Sequence, residues 1–479
     1  MIKKLLLVLL SVIIVVIIVL IVNTLRLKSL QPVFAAIKPI AVSDSAVVHF
    51  EDGIRFKTVS YGNLPPDSAE FTHFHQFLQK TYPLIFSKLV KKELVKYTFV
   101  FKWQGKDTLA KPIILMAHQD VVPVEQSAIP QWKAEPFSAS VKHGRIFGRG
   151  TADDKISLFG ILEAAERLLS EGYRPPQTVY FVFGHDEEVG GRGAKAAAAY
   201  LKALGVKPAW VLDEGGEITE KAVTGMKNTP VALIGTSEKG YLSLKLSVDI
   251  VGGHSSMPKA ETAVDVLIKA VQNIRDKPFK ARFSPSTSGT FNFLAPEMPF
   301  GLRLVMANRW LFEGLLIGIY QQTPEGNALI RTTIAPTIIK AGLKDNVIPT
   351  NAEATINFRL LPGNTIDGVI KQVNENVNDS RVKISKFNEM YSEASHVTPD
   401  TSAAFLNLAK TIRACFPGSI VAPLQCVGAT DSRRFESITG NVLRFSPVTD
   451  LQGMHGINEN VGVDEFKKAV NFYYQLLKK

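Results

Sequence analysis

Cysteine is scarce: among 479 residues there are two, Cys415 and Cys426. That excludes a disulfide framework. It also excludes the closed structural zinc sites that rest mainly on thiolates. The two cysteines would pair only in an oxidising compartment; as two buried thiols they need no special chemistry. No G-x-S-x-G elbow is present, so the usual signature of an α/β serine hydrolase is missing. Lysine and arginine total 55 and the net charge is +11, yet no basic run is interleaved with aromatics and no nucleic-acid-reading module is found. A solvated basic surface accounts for that charge. Attraction to anionic headgroups and steering of carboxylate-bearing substrates are the other readings. Low-complexity tracts and short repeats are absent as well. What remains is a globular composition, 46% apolar, on a chain long enough for two domains.

The first feature that is present is apolar. After MIKK comes LLLVLLSVIIVVIIVLIV, residues 5–22, without a charge. A run of about 18 such residues is just long enough to cross a bilayer as a helix. It exceeds the usual apolar core of a cleaved signal, and no A-x-A-like site follows at once. Residues 1–30 therefore read as a retained signal anchor, with a cleaved leader as the alternative. Lys3 and Lys4 precede the span and Arg26 and Lys28 follow it, so the flanking charges vote only weakly on orientation. The expectation is a membrane-anchored chain with its large domain outside the cytosol, or a secreted one if the segment is removed.

From about 95 to 240, strand-length apolar runs alternate with helical patterns: YTFVFKW, PIILMAH, a helix over 156–171, TVYFVFG, a helix over 192–204, AWVLDEGG. That rhythm predicts an α/β fold with a mainly parallel sheet and helices on both faces. Near Gly240 the pattern changes. YLSLKLSVDI and NAEATINFRL alternate like half-exposed strands, which predicts a smaller α+β domain inserted over 241–396, between a first part at 40–240 and a return at 397–479. The stretch RWLFEGLLIGIY, 309–320, reads first as that insert's own core; a lipid-tail channel or a membrane contact is the alternative.

Ligands in such sheets gather at the carboxyl ends of the strands, and the acids and histidines stand there. His118 ends PIILMAH, and Asp120 follows at i+2 on the same side of extended chain. Its carboxylate is placed to accept from the far imidazole nitrogen and fix the tautomer for a metal. GRGTADDK, 148–155, opens a helix with Asp153 and Asp154, which would repel a phosphate and suit a cation; one of them would serve equally as a helix cap. GHDEEVGG, 184–191, sets Asp186, Glu187 and Glu188 in a row, and such crowding is costly unless something positive sits among the acids. Asp213 ends AWVLD, and His455 lies in GMHGINEN. His73 and His75 fall on a helix where i and i+2 do not share a face, which predicts ordinary surface residues. Together His118, Asp153, Glu188, Asp213 and His455 make a mixed histidine and carboxylate set that suits two zinc ions sharing a bridging carboxylate. Of the adjacent Glu187 and Glu188, one can bind metal while the other stays free to take a proton from water.

The ordered set H-x-D, GRGTxDDK, GHDEE, LDEGG, GGHSS and MHGxNE resembles the dizinc aminoacylase and carboxypeptidase family, peptidase family M20. In SEKG at 237–240, WLFE at 310–313, NALIRTT at 327–333 and NVIP at 346–349 it is most similar to the branch that holds carboxypeptidase S and the N-fatty-acyl-amino acid synthase/hydrolases. The likeness runs from about residue 90 to the C-terminus. It implies that His118, Asp153 and Asp213 bind one zinc, and Asp153, Glu188 and His455 the other, with cobalt or manganese as possible substitutes. Asp120 would orient His118 and Glu187 would be the general base and acid. The insert would be a lid that also forms a homodimer, His254 would help polarise the scissile carbonyl, and Asn346 and Arg359 would bind substrate. Asp431, Arg433 and Arg434, in GATDSRRF, would border the pocket. The activity implied is hydrolysis, reversible in principle, of the amide between an acyl or peptidyl group and an amino acid with a free carboxylate. A membrane-anchored binding protein on the same fold would have lost a ligand or Glu187, and neither loss is seen.

Overall fold

The runs TFVFKW, IILMAH and VYFVFG become strands Thr98–Trp103, Ile113–His118 and Val179–Gly184 of a nine-stranded sheet. A computed structural model describes all residues of the chain except Ala36, Asn63, Ala222, Thr224, Lys227 and Asn228. Ile113–His118 pairs in parallel with Val179–Gly184 on one side and with Trp210–Asp213 on the other, and the latter pairs in parallel with Val442–Arg444. This is the parallel run that the alternating pattern predicts. Beyond it, Thr98–Trp103 pairs antiparallel with Val179–Gly184 and with the edge strand Val90–Leu94. Val231–Glu238 and Ile420–Cys426 close the other edge in parallel, so the sheet as a whole is mixed.

Alternation decides which helix each strand residue meets. Leu115, Phe181 and Leu212 face helices Ile156–Ser170 and Val463–Leu477, while Ile114, Val182 and Val211 face helix Arg192–Ala203. Both faces are covered, and such central strands read as continuous apolar runs for that reason.

The second sheet has four strands: Gly240–Asp249 lies between Asn351–Leu360 and Val382–Lys386, and Thr333–Ala341 flanks Asn351–Leu360. Helices Ala263–Asp276 and Ile366–Val377 cover it and share its separate apolar core. Not all of the stretch expected as the insert belongs to this unit. Helix Pro285–Leu294 packs on the large sheet instead, where Thr290 Oγ1 donates to Pro423 O at 2.6 Å and Phe293 and Leu294 join the main core. Three helices follow it: Phe300–Ala307, Arg309–Tyr320 and Pro324–Ile330. Arg309–Tyr320 is not the insert's core; of its residues only Leu316 is buried.

The N-terminal apolar run is one helix, Ile2–Arg26, long and apolar enough to cross a membrane. Its last turns touch the body. Thr24 is buried there, and Asn23 Nδ2 donates to Asn308 Oδ1 at 2.9 Å.

Candidate active site and metal centre

Strand ends and the loops after them bring the acids together. His118 is the last residue of its strand and is buried. Its Nε2 lies 2.8 Å from Asp153 Oδ1 and 3.3 Å from Glu214 Oε1. The other oxygen of Asp153, Oδ2, lies 2.9 Å from His455 Nε2, and Glu188 Oε2 lies 3.2 Å from the same nitrogen. Two triads result, His118/Asp153/Glu214 and Asp153/Glu188/His455, each with its ligand atoms within 4.8 Å of one another. Asp153 belongs to both.

Glu214, not Asp213, completes the first triad. Asp213 ends the strand Trp210–Asp213 and turns its carboxylate to the far side, where Oδ2 accepts from Ser432 N at 2.8 Å. Successive side chains at a strand end face opposite ways, so the next residue reaches His118. Asp120 departs from expectation in a smaller way. The near partner of His118 Nδ1 is the Asp120 backbone carbonyl at 2.8 Å, with the carboxylate at 3.4 Å. That carboxylate instead accepts from the backbone of Glu187 and Glu188 at 3.1 and 3.2 Å, fixing the loop that presents both glutamates.

One support was not read from the sequence. Glu459, fully buried, accepts from Gly150 N at 3.0 Å, Ala152 N at 2.9 Å and Asp153 N at 3.2 Å, and Arg149 Nη1 donates to it at 2.6 Å. It pins the turn that carries Asp153. It is the last residue of the MHGxNE motif, to which the sequence reading gave no role of its own.

The electrostatics are those of a site built for cations. Burial works against the Asp153 carboxylate, but hydrogen bonds from His118 and His455 hold its pKa well below the usual range. Asp153 and Glu188 raise His455 to about 10. Burial, with Asp431 and Glu188 close by, pushes Glu187 well up. Burial and Asp153 do the same to Glu214. Glu188 Oε1, in the second triad, is buried without a hydrogen-bond partner. An unpaired buried carboxylate oxygen is expensive, and a mixed histidine and carboxylate set fits a divalent ion that would satisfy it.

Above the triads opens a cavity of about 1380 Å³, lined by Asp153, Glu187, Glu188, Glu214 and His455. Arg359 lines it too, its guanidinium 4.7 Å over the Tyr241 ring and close to the like-signed Arg433, and among the described residues no ion pair to a carboxylate holds it. Arg433 and Arg434 line the wall, Arg434 donating to Gly190 O at 2.7 Å. Asp431 is buried behind that wall, against Gly191. His254 and Asn346 are not at the cavity. Both are exposed at a small two-stranded sheet of Gly253–His254 with Val347–Ile348, where Ser255 N donates to Asn346 O at 3.3 Å. His75, expected at the surface, is packed 4.1 Å from the Phe99 ring and bonds Gln119 Oε1 at 2.7 Å.

Residues 114–479 match the model of peptidase family M20/M25/M40. The chain belongs to this family. Sequence relatives support the same placement within M20. The probable carboxypeptidase S-like 2 of Dictyostelium discoideum is 39% identical over 474 residues, 96% of this chain and 91% of that protein. The N-fatty-acyl-amino acid synthase/hydrolase PM20D1 of Xenopus tropicalis is 40% identical over 433 residues, 88% of this chain and 83% of that protein. The match to the Dictyostelium protein extends into the first ninety residues, where the motifs alone carry little. Among solved structures, the M20 family metallo-carboxypeptidase Sso-CP2 from Sulfolobus solfataricus shares the fold at TM-score 0.67 and 17% identity, over 91% of this chain and 99% of that one. As an M20 member the chain is a metal-dependent hydrolase of the peptidase and amidohydrolase kind.

Proposed function

We propose that the chain is a two-zinc hydrolase that cleaves the amide joining an acyl or peptidyl group to an amino acid with a free α-carboxylate. The observation that carries this reading is the shared carboxylate of Asp153, which turns one oxygen to His118 and the other to His455. Zinc held by His118, Asp153 and Glu214 and by Asp153, Glu188 and His455 would supply Lewis acidity and lower the pKa of water toward about 7. Glu187, at the cavity floor, takes the proton of the attacking water and passes it to the amine nitrogen as the C–N bond breaks. Asp120 holds the Glu187 backbone in position for this. Arg359 meets the substrate carboxylate in a bidentate fork, and Arg433, with Asp431 behind it, borders the side-chain space. His254 and Asn346, side by side and exposed, serve the cavity of a second copy in a homodimer made through the lid, where His254 polarises the scissile carbonyl.

Long-chain N-acyl amino acids are the favoured substrates. The relatives at 36–40% identity named as N-fatty-acyl-amino acid synthase/hydrolases support this, as does a cavity larger than the roughly 300–1,000 Å³ usual for small ligands. The same site runs condensation of fatty acid with amino acid when substrate levels favour it. An N-terminal membrane anchor, with the catalytic domain outside the cytosol, suits such substrates. Comparing kcat/KM for N-oleoyl-phenylalanine and glycyl-leucine on the zinc-loaded enzyme is the test; preference for the dipeptide would refute the acyl assignment, and turnover of neither would refute the hydrolase.

A further inference from the structure

We propose that the exposed face of helix Arg309–Tyr320 is seated in the lipid surface beside the N-terminal span, bringing the helical wall of the cavity to the bilayer. The inference deepens the proposed function and rests on its reading of Ile2–Arg26 as a membrane helix.

The sequence RWLFEGLLIGIY contains two charges, Arg309 and Glu313. At about 100° per residue, Trp310, Leu311, Gly314, Leu315, Gly318 and Ile319 form one stripe, and both charges fall outside it. On that stripe Trp310 is 62% exposed, Leu311 47%, Leu315 57% and Ile319 50%. Phe300, at the start of the preceding helix, is 53% exposed. A contiguous apolar patch of this kind marks a contact surface.

Its position says which contact. Asn308, buried between helices Phe300–Ala307 and Arg309–Tyr320, donates from Nδ2 to Leu20 O at 3.1 Å and accepts at Oδ1 from Asn23 Nδ2 at 2.9 Å. Trp310 Nε1 donates to the same Oδ1 at 3.4 Å. The indole is thus held level with residues 20–23, where the uncharged run of the span ends. That is the depth at which tryptophan sits in membranes, its ring in the apolar boundary and its N–H toward the polar side. The apolar face therefore continues the lipid-facing surface of the N-terminal helix. The seat also adjoins the cavity. Helix Pro324–Ile330 follows after a three-residue turn and lines the cavity with Glu325, Ala328 and Leu329, while the buried Lys239 donates to Ala328 O and Arg331 O at 2.9 Å each. Bilayer, seat and cavity wall are successive turns of one chain segment, an arrangement suited to amphiphilic acyl substrates dissolved in the membrane.

Tryptophan fluorescence isolates the seat, because Trp103, Trp132 and Trp210 are each under 10% exposed. The full-length chain is reconstituted in phosphatidylcholine vesicles with bromine near the headgroup end of the acyl chains, and its emission is compared with that of Trp310→Phe. The expected result is that the chain floats with the vesicles and the Trp310 component is lost to the brominated lipid. A chain that floats while aqueous acrylamide quenches Trp310 would overturn the proposal. Shielding from both quenchers would overturn it in favour of a second copy or another protein on that face. A chain that does not float would instead defeat the membrane-anchor reading. In the same vesicles, Leu315→Asp with Ile319→Asp is expected to lower turnover of N-oleoyl-phenylalanine several-fold and leave that of soluble N-acetyl-phenylalanine unchanged; an equal loss on both would count against the seat.

Discussion

Single residues decide who meets the ions, and the pair at 213–214 shows how finely. LDEGG announces an acid at the end of a strand, but which of two neighbours faces His118 depends on where the strand stops, a matter of one residue. Glu214→Ala is therefore expected to lose metal from the first triad, whereas Asp213→Asn keeps it; metal analysis after gel filtration distinguishes the two. The glutamate pair was more legible, because two adjacent acids cannot face alike and only one reaches His455. Glu187→Gln should bind metal normally and lose about 10²–10⁴-fold in kcat; full turnover would remove Glu187 from the mechanism. His75 escaped the sequence reading because helical spacing says nothing of the ring of Phe99 waiting opposite. Burial lowers its pKa to about 4 despite the Gln119 hydrogen bond. The folded chain then takes up that proton less readily than the unfolded one, so the stability it protects is complete above about pH 6.5 and drains away toward pH 4. The loss is at most about 3 kcal/mol. His75→Phe should flatten that part of a plot of denaturation midpoint against pH.

Elements are held in place by groups far away in sequence, and the turn that carries Asp153 is the clearest case. Glu459→Ala would leave Arg149 buried without its partner and three backbone N–H groups unmet. It should cost about 3–5 kcal/mol in urea denaturation, although Glu459 lies outside both triads. Periodicity found the helices and strands because a strand between two helix layers must be apolar on both faces, as Ile113–His118 is. It could not tell parallel from antiparallel neighbours, since Thr98–Trp103 is as apolar as the strands it joins. Nor could it place Arg309–Tyr320: an apolar stripe at helical spacing looks the same whether it meets a protein core or opens outward.

For the molecule as a whole, the four-stranded sheet has its own core, and the small two-stranded sheet beyond its strands Gly240–Asp249 and Asn351–Leu360 holds His254 and Asn346 away from the cavity of its own chain. Sequence motifs name such residues but not the copy they serve. If they serve the partner, His254→Ala should lower kcat with the fold intact, and mixing it with Glu187→Gln should restore activity that neither variant has alone, as hybrid dimers form. Dialysis against a chelator should lower Tm reversibly, because ions bound only by the folded chain stabilise it by mass action.

The loop that delivers His455 also delivers Glu459, and Asp153 answers to both. Whatever settles one half of the centre thereby sets the geometry of the other. If two ions bind as proposed, half-loaded molecules of the unaltered chain should be rare, and a calorimetric titration of the stripped protein is expected to rise in one sharp, cooperative step rather than two separate ones.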